Sequence, residues 1–411
     1  WSCGSLGATA LELSSGSVPA TPLVACDPYF SIWSTGKTLT DTDTTHWTGK
    51  PHRIASLVLI DGQAFRLMGA EPKSVPALEQ TGSAITPTQT RYEFQGSGVE
   101  VTLTFSTPAL PEDVDLLSRP ITYVTYAVRS LDGKPRQVQI YFEASAELTV
   151  NVPEQAVRGE TTEPQGLVAV KLGSQEQAVL ESKGDDLRID WGYFYLAVPA
   201  NVQAQTAVAA PQSLRDRFIS EGRLPSSRSA ASARADELAA GAVVSCDVAG
   251  DKSASCWLVL AYDDLESIEF MGAPLKPYWR RNGLDAAGLL AEAARDRESL
   301  LKRCDEFDRE LIADLTAAGG AEYAAIATLA YRQCFAAGKF VADANGQPLQ
   351  FCKENHSNGC IGTSDVFYPM APQFLLFGPS LAKSFVAPFM EYAKSDRWKF
   401  PFAPHDLGTY P

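Results

Sequence analysis

The chain has 411 residues, 45% of them hydrophobic, and a formal net charge of −14 from 49 acidic and 35 basic residues. That length exceeds one ordinary domain and implies two or three, with ample apolar residues for their cores. The acidic balance is spread without a long single-sign run, which argues against nucleic acid and anionic membrane surfaces as partners, and no run of about 18 apolar residues offers a membrane-spanning helix.

Trp1 to Leu13 has neither the basic nor the apolar region of a secretory signal. From there to about residue 275 the pattern is that of strands. Ser56 to Ile60 and Ala64 to Met68 flank Asp61-Gly62, a hairpin signal. Val99 to Phe105 alternates apolar residues with Glu100, Thr102 and Thr104, the period of a half-buried strand. Ile121 to Val128 and Val138 to Phe142 flank Asp132-Gly133, read as a second hairpin. Leu187 to Val198 is aromatic-rich and strand-like, Ser226 to Ala240 reads as an exposed loop or short helix, and strand character returns from Val243 through Cys256 to Tyr262. Many short strands with turn signals predict a β-sandwich.

The period then changes. Asp285 is placed to cap a helix reaching about Ala318, with Leu289, Leu290, Leu300, Leu301, Phe307 and Leu311 at helical spacing and Gly319-Gly320 at its end. Further helices are expected over Ala321 to Ala337, Pro369 to Leu376 and Pro379 to Ser395. Strands first and helices later imply separate domains, drawn at 1–275 and 276–411. So few helices leave their apolar stripes short of partners, so the helical domain is expected to continue beyond residue 411.

None of the eight cysteines forms a CxxC pair, so a structural zinc cluster is not expected. Buried thiols and one or two disulfides both fit the spacing. Common nucleophile and nucleotide motifs are absent: there is no GxSxG, P-loop, complete GxGxxG or HExxH. Two blocks concentrate polar and aromatic residues. The first holds Asp27, Tyr29 and Trp33, then His46 and Trp47, and reads either as a polar pocket or as a loop stitched to the body of the fold. The second holds Lys353, Glu354, Asn355 and Asp365, then Arg397, Trp398, His405 and Asp406. Glu354 and Asp365 lie in glycine-containing connections before apolar helices, where carboxylates divide acid and base work or merely cap a helix.

These blocks carry a resemblance. "PLVACDPYFSIWS", "HWTGKPH" and "IDGQAFRLMG" resemble the N-terminal module of the glutaminase A family. "KENHSNGCIGTSDVFYPMAPQFLLF" and "FMEYAKSDRWKFPFAPHDLGTYP" resemble its central module. The resemblance implies an α+β multidomain protein: an N-terminal β-sandwich, then the first helices of an (α/α)6 toroid whose remainder lies beyond residue 411. It also implies a secreted or periplasmic hydrolase of the glutamine side-chain amide. Glu354 would then activate water, His405 or Asp406 would assist, and Lys353 or Arg397 would hold a substrate carboxylate. "TSDVFYPMAPQFLL" followed by "PHDLG" is also similar to the toroid of glucosylceramidase-type β-glucosidases, which implies an alternative: an exo-acting, retaining glycosidase with Glu354 as nucleophile or base and Asp365 orienting it. The expected partners are a small molecule, glutamine or a sugar, and the remainder of the chain. No cofactor and no metal is expected.

Overall fold

A computed structural model of the chain describes residues 13, 16–200, 203–225, 230–354 and 358–411. Two antiparallel sheets carry most of the first 263 residues. The larger has nine strands, in the order Ala231–Arg234, Ala156–Thr162, Leu167–Ser174, Tyr193–Pro199, Ala254–Asp263, Ile121–Ser130, Val99–Ser106, Gln89–Gly96 and Glu79–Ile85. The smaller has five: Gln205–Ala209, Ala239–Ser245, Val138–Ser145, Ile54–Ile60 and Gln63–Met68.

Alternation explains how they stack. In Val99–Ser106 the residues Val99, Val101, Leu103 and Phe105 are buried while Glu100, Thr102 and Thr104 are half-buried. The buried set meets Val58, Ile140, Phe142 and Val244 of the smaller sheet, so the two sheets form a sandwich around one core. Ile121–Ser130 is apolar on both faces. Val124, Tyr126 and Val128 enter that core, whereas Ile121 and Tyr123 face outward and are covered by Leu289, Leu290, Ala293 and Leu300. A strand covered on both faces reads as a continuous apolar run.

The Asp61-Gly62 hairpin is present, with both turn residues at positive φ (50° and 84°), as a type I′ turn requires. The hairpin expected at Asp132-Gly133 is not. Ile121–Ser130 pairs with Val99–Ser106 and Ala254–Asp263, while Val138–Ser145 pairs with Ile54–Ile60 and Ala239–Ser245. The chain crosses here from one sheet to the other. Pro135 has no N–H for a ladder, and Arg136 pairs its backbone with Val248 instead. The aromatic strand begins at Tyr193 rather than Leu187. The segment after Ser226 supplies a sheet-edge strand, Ala231–Arg234, with residues 226–229 outside the described set.

Asp285 caps the helical run Ala286–Ala336 by accepting from Gly288 N at 2.8 Å. Gly320 (φ 83°, ψ 177°) breaks that run into the two helices anticipated, because its conformation is closed to side-chain-bearing residues. A hairpin follows, Gly338–Ala342 with Pro348–Cys352, which the sequence did not announce. The next helix begins at Ser364, five residues before its expected start, which places Asp365 in the first turn, where a carboxylate suits the helix dipole. Gly378 separates it from Pro379–Lys394. Tyr331, Phe335, Phe340, Met370, Phe374, Leu381 and Phe385 form the core of this part.

Asp308 joins the first helix to the sheet. Its carboxylate accepts from Thr86 Oγ1 and, at 2.9 Å each, from Thr88 N and Thr88 Oγ1. Burial pushes its pKa from 3.8 to about 6, although the threonine donors and Arg332 pull the other way. The folded state therefore holds a proton that the unfolded chain releases between pH 4 and 6, so this group's contribution to stability is present below about pH 4 and is lost as pH rises through 6. The lost amount is about 3 kcal/mol. Comparing urea midpoints at pH 4 and pH 7, Asp308→Asn is expected to remove that component of the pH slope. Identical slopes in both proteins would contradict it.

Candidate active site

The described residues of two connections, 353–354 with 358–363 and 405–410, lie against one another and bring the second motif block together. Ile361 N donates to Gly408 O (3.0 Å), Leu407 N to Ile361 O (2.9 Å), Tyr410 N to Gly359 O (2.9 Å) and Ser364 N to His405 O (2.8 Å). Gly359 (φ 65°) is needed here, since a Cβ would sit 2.5 Å from Asp185 N.

Glu354 lies in this junction at 6% exposure. Its Oε2 accepts from Thr363 Oγ1 (3.1 Å), and its backbone N–H donates to Cys360 O (3.0 Å). Lys353 turns inward. Its Nζ donates to Glu354 O (2.6 Å), lies 3.7 Å from Asp185, and sits 5.6 Å from the ring centroids of Trp47 and Tyr410. Burial lowers the Lys353 pKa and the Asp185 carboxylate opposes that shift. A lysine so enclosed spends its Nζ on the Glu354 backbone and the Asp185 carboxylate.

At the mouth of the junction, His405 Nδ1 is 2.9 Å from Asp406 Oδ2, and His405 Nε2 is 3.6 Å from Asp365 Oδ2. The Asp406 hydrogen bond, followed by the Asp365 charge, raises the His405 pKa. The other Asp406 oxygen accepts from Gly408 N (2.8 Å). Thus three of the four residues expected to be catalytic, Asp365, His405 and Asp406, form one exposed cluster, and Glu354 is buried close enough to act on His405 electrostatically. Asn355 lies outside the described residues.

The first block takes the stitching role. Asp27 caps its own loop through Tyr29 N and Phe30 N (2.8 and 2.9 Å) and pairs with Lys339 Nζ at 2.7 Å. Tyr29 donates to Ser267 O (2.5 Å) and Trp33 to Ser31 Oγ (2.6 Å). His46 is 1% exposed, with Nε2 2.9 Å from Pro28 O, and burial holds its pKa down to about 3. Asp27, Tyr29, Trp33 and His46 therefore spend their polar atoms on the chain itself. Trp47, half-buried, touches the junction through Lys353, and Tyr29 packs against Tyr410 with ring centroids 5.6 Å apart.

Arg397 lines a hollow of about 150 Å³ with Phe270, Phe351, Ile361, Tyr392 and Leu407, and donates to Met271 O (3.1 Å). Trp398 packs within its own loop, against Phe400 and Phe402. A larger hollow, of about 570 Å³, lies around Asp61, Arg136 and Asp247 at an end of the sandwich, away from these groups. The sequence reading missed Cys360, which is joined to this cluster across the Cys360–Thr409 bridge. It also found no metal-ligand cluster, yet ligand atoms of Cys360, His405 and Asp406 lie within 4.8 Å of one another. Only the folding together of two distant connections could reveal it. Among the described residues no cysteine is in a disulfide.

Three family models lie end to end along the chain: a domain of unknown function (DUF4964) over residues 8–79, another (DUF5127) over 88–314, and the glutaminase A six helical-hairpin domain over 320–411. Glutaminase A of Aspergillus oryzae is 27% identical over 411 residues, covering 95% of this chain and 58% of the relative. This chain belongs to the glutaminase A family. A probable glutaminase of Arthroderma benhamiae is 22% identical over 441 residues, covering 95% of this chain and 48% of the relative. The chain thus spans about half the length of the curated glutaminase A relatives it matches. Among solved structures, a putative kojibiose phosphorylase from human microbiome overlaps 70% of this chain and 32% of that one at 6% identity and a TM-score of 0.33, too slight a likeness to speak to fold or function.

Proposed function

We propose that this chain is part of an extracytoplasmic hydrolase that cleaves the side-chain amide of glutamine or a related γ-amide, with a β-sandwich region (1–275) followed by the opening helices of an (α/α)6 toroid (276–411). The observation that carries the reading is Glu354: a carboxylate 6% exposed, fixed by Thr363 and by backbone pairing, beside an exposed cluster of His405, Asp406 and Asp365. A fixed carboxylate can take a proton from water as it attacks the amide carbon. A protonated group at the mouth can return a proton to the departing nitrogen, so that ammonia leaves, and the two carboxylate neighbours of His405 favour its protonated form. Arg397, exposed beside a small hollow, suits a substrate carboxylate.

The longer polypeptide containing this chain is expected to release ammonia from L-glutamine. Aryl alcohol released from a glycoside panel, with glutamine untouched, would overturn the amidase reading in favour of glycoside hydrolysis.

The helical part exposes unusual apolar surface: Tyr368 at 78%, Leu376 at 73%, Leu375 at 59% and Met390 at 50%. Its occupant in this reading is further helices of the same polypeptide, as the greater length of the relatives and the six-hairpin description suggest. Leu376→Asp in the longer polypeptide is then expected to cost about 2 kcal/mol or more, against less than about 0.5 for a solvent-facing site. A denaturation midpoint within error of wild type would contradict the docking.

A further inference from the structure

We infer that Cys360, His405 and Asp406 form a binding site for a divalent transition cation, zinc foremost. Their ligand atoms, one from each residue, lie within 4.8 Å of one another. A tetrahedral zinc with a thiolate at about 2.3 Å and nitrogen or oxygen ligands at about 2.0 Å needs those atoms about 3.3 to 3.6 Å apart, so the His405 Nδ1–Asp406 Oδ2 pair, now 2.9 Å, opens slightly, and the set as a whole needs only a small adjustment. The set combines a soft thiolate, an imidazole and a carboxylate, the mixture that suits zinc and its neighbours rather than calcium or magnesium.

Three further observations favour a built site. The ligands sit on two facing segments whose backbones are already paired through Ile361–Gly408, Leu407–Ile361 and Tyr410–Gly359, so little ordering remains to be done on binding. Asp406 has one oxygen fixed by Gly408 N, which leaves Oδ2 turned toward His405. With His405 Nδ1 as the ligand, Asp365 Oδ2 lies 3.6 Å from its Nε2, and a carboxylate near the far nitrogen is the usual support of a metal-bound histidine. Three protein ligands leave a fourth position for water, and the exposed His405 side chain (55%) places the cluster at the surface of the junction. Binding displaces the Cys360 thiol proton, and the imidazolium proton where His405 is charged, into solvent.

The site shares His405 and Asp406 with the amidase reading, and a bound cation takes the place of the proton that His405 would donate there; binding is therefore read without turnover, so that the two readings fail separately. The protein, stripped by chelator, is titrated with Co²⁺ and separately with Zn²⁺. The expected result is about one cation per chain and a thiolate-to-cobalt charge-transfer band in the near ultraviolet. Cys360→Ser abolishes that band and Cys334→Ser, at a thiol outside the cluster, retains it. Asp365→Asn keeps the band while weakening affinity about 10- to 100-fold. His405→Ala, at an exposed side chain, serves should Cys360→Ser misfold, and is expected to weaken binding at least tenfold. No band in the wild type, a band that survives Cys360→Ser, or unchanged affinity in His405→Ala overturns the site.

Discussion

Replacing Lys339 by methionine is expected to destabilise the protein by about 3–5 kcal/mol, the usual effect of removing one partner from a buried ion pair. The Lys339 side chain is 3% exposed and its Nζ lies 2.7 Å from Asp27 and 3.0 Å from Asp264, themselves 6% and 1% exposed. Burial by itself lowers the lysine's pKa, but the two carboxylates outweigh it and hold it above the usual range. Without Lys339, two carboxylates face each other with no cation, and Asp264, already raised by burial, must take a proton. The contact joins residues 312 apart in sequence, tying the loop of Asp27 to the hairpin that leads into Glu354. Lys339→Met combined with Asp27→Asn and Asp264→Asn leaves no unpaired charge, so the triple variant is expected to be less damaged than the single one. Chemical denaturation reads both. A single variant within about 0.5 kcal/mol of wild type would contradict this account.

Glu354→Gln is expected to lower the hydrolytic rate about 10²- to 10⁴-fold, the range typical of losing a general base, which corresponds to about 3–5 kcal/mol of barrier. Glutamine keeps the shape and still accepts from Thr363 Oγ1, so the 3.1 Å contact survives while the proton acceptor is lost. The change removes a buried acid without emptying space, and a retained thermal midpoint would separate loss of chemistry from loss of fold.

The sequence announced whatever depends on neighbours along the chain. Alternation at Val99–Phe105, the Asp61-Gly62 turn, the Asp285 cap and the Gly320 break all rest on local periods or local backbone preferences, and all are present. It failed where pairing is long-range. Asp132-Gly133 has hairpin chemistry, but the apolar faces on either side of it belong to different sheets, and burying both outweighs a local turn. The hairpin bearing Lys339 is short, and each of its strands is nearly all buried, so neither alternates. Within the site, the second motif block was legible because glycine-rich polar connections between apolar helices are unusual. The inward turn of Lys353, the stitching roles of Asp27 and His46, and the junction of Cys360 with His405 and Asp406 were not, since direction and proximity belong to the fold.

The central claim is that this family member hydrolyses an amide with Glu354 as its base. The most direct measurement is ammonia release from L-glutamine by the longer polypeptide, wild type beside Glu354→Gln, with both shown to be folded and an aryl glycoside panel run in parallel. The account predicts ammonia from the wild type, at least about 10² less from the variant, and no aryl release. Ammonia release undiminished in Glu354→Gln would contradict it, as would aryl release with glutamine untouched.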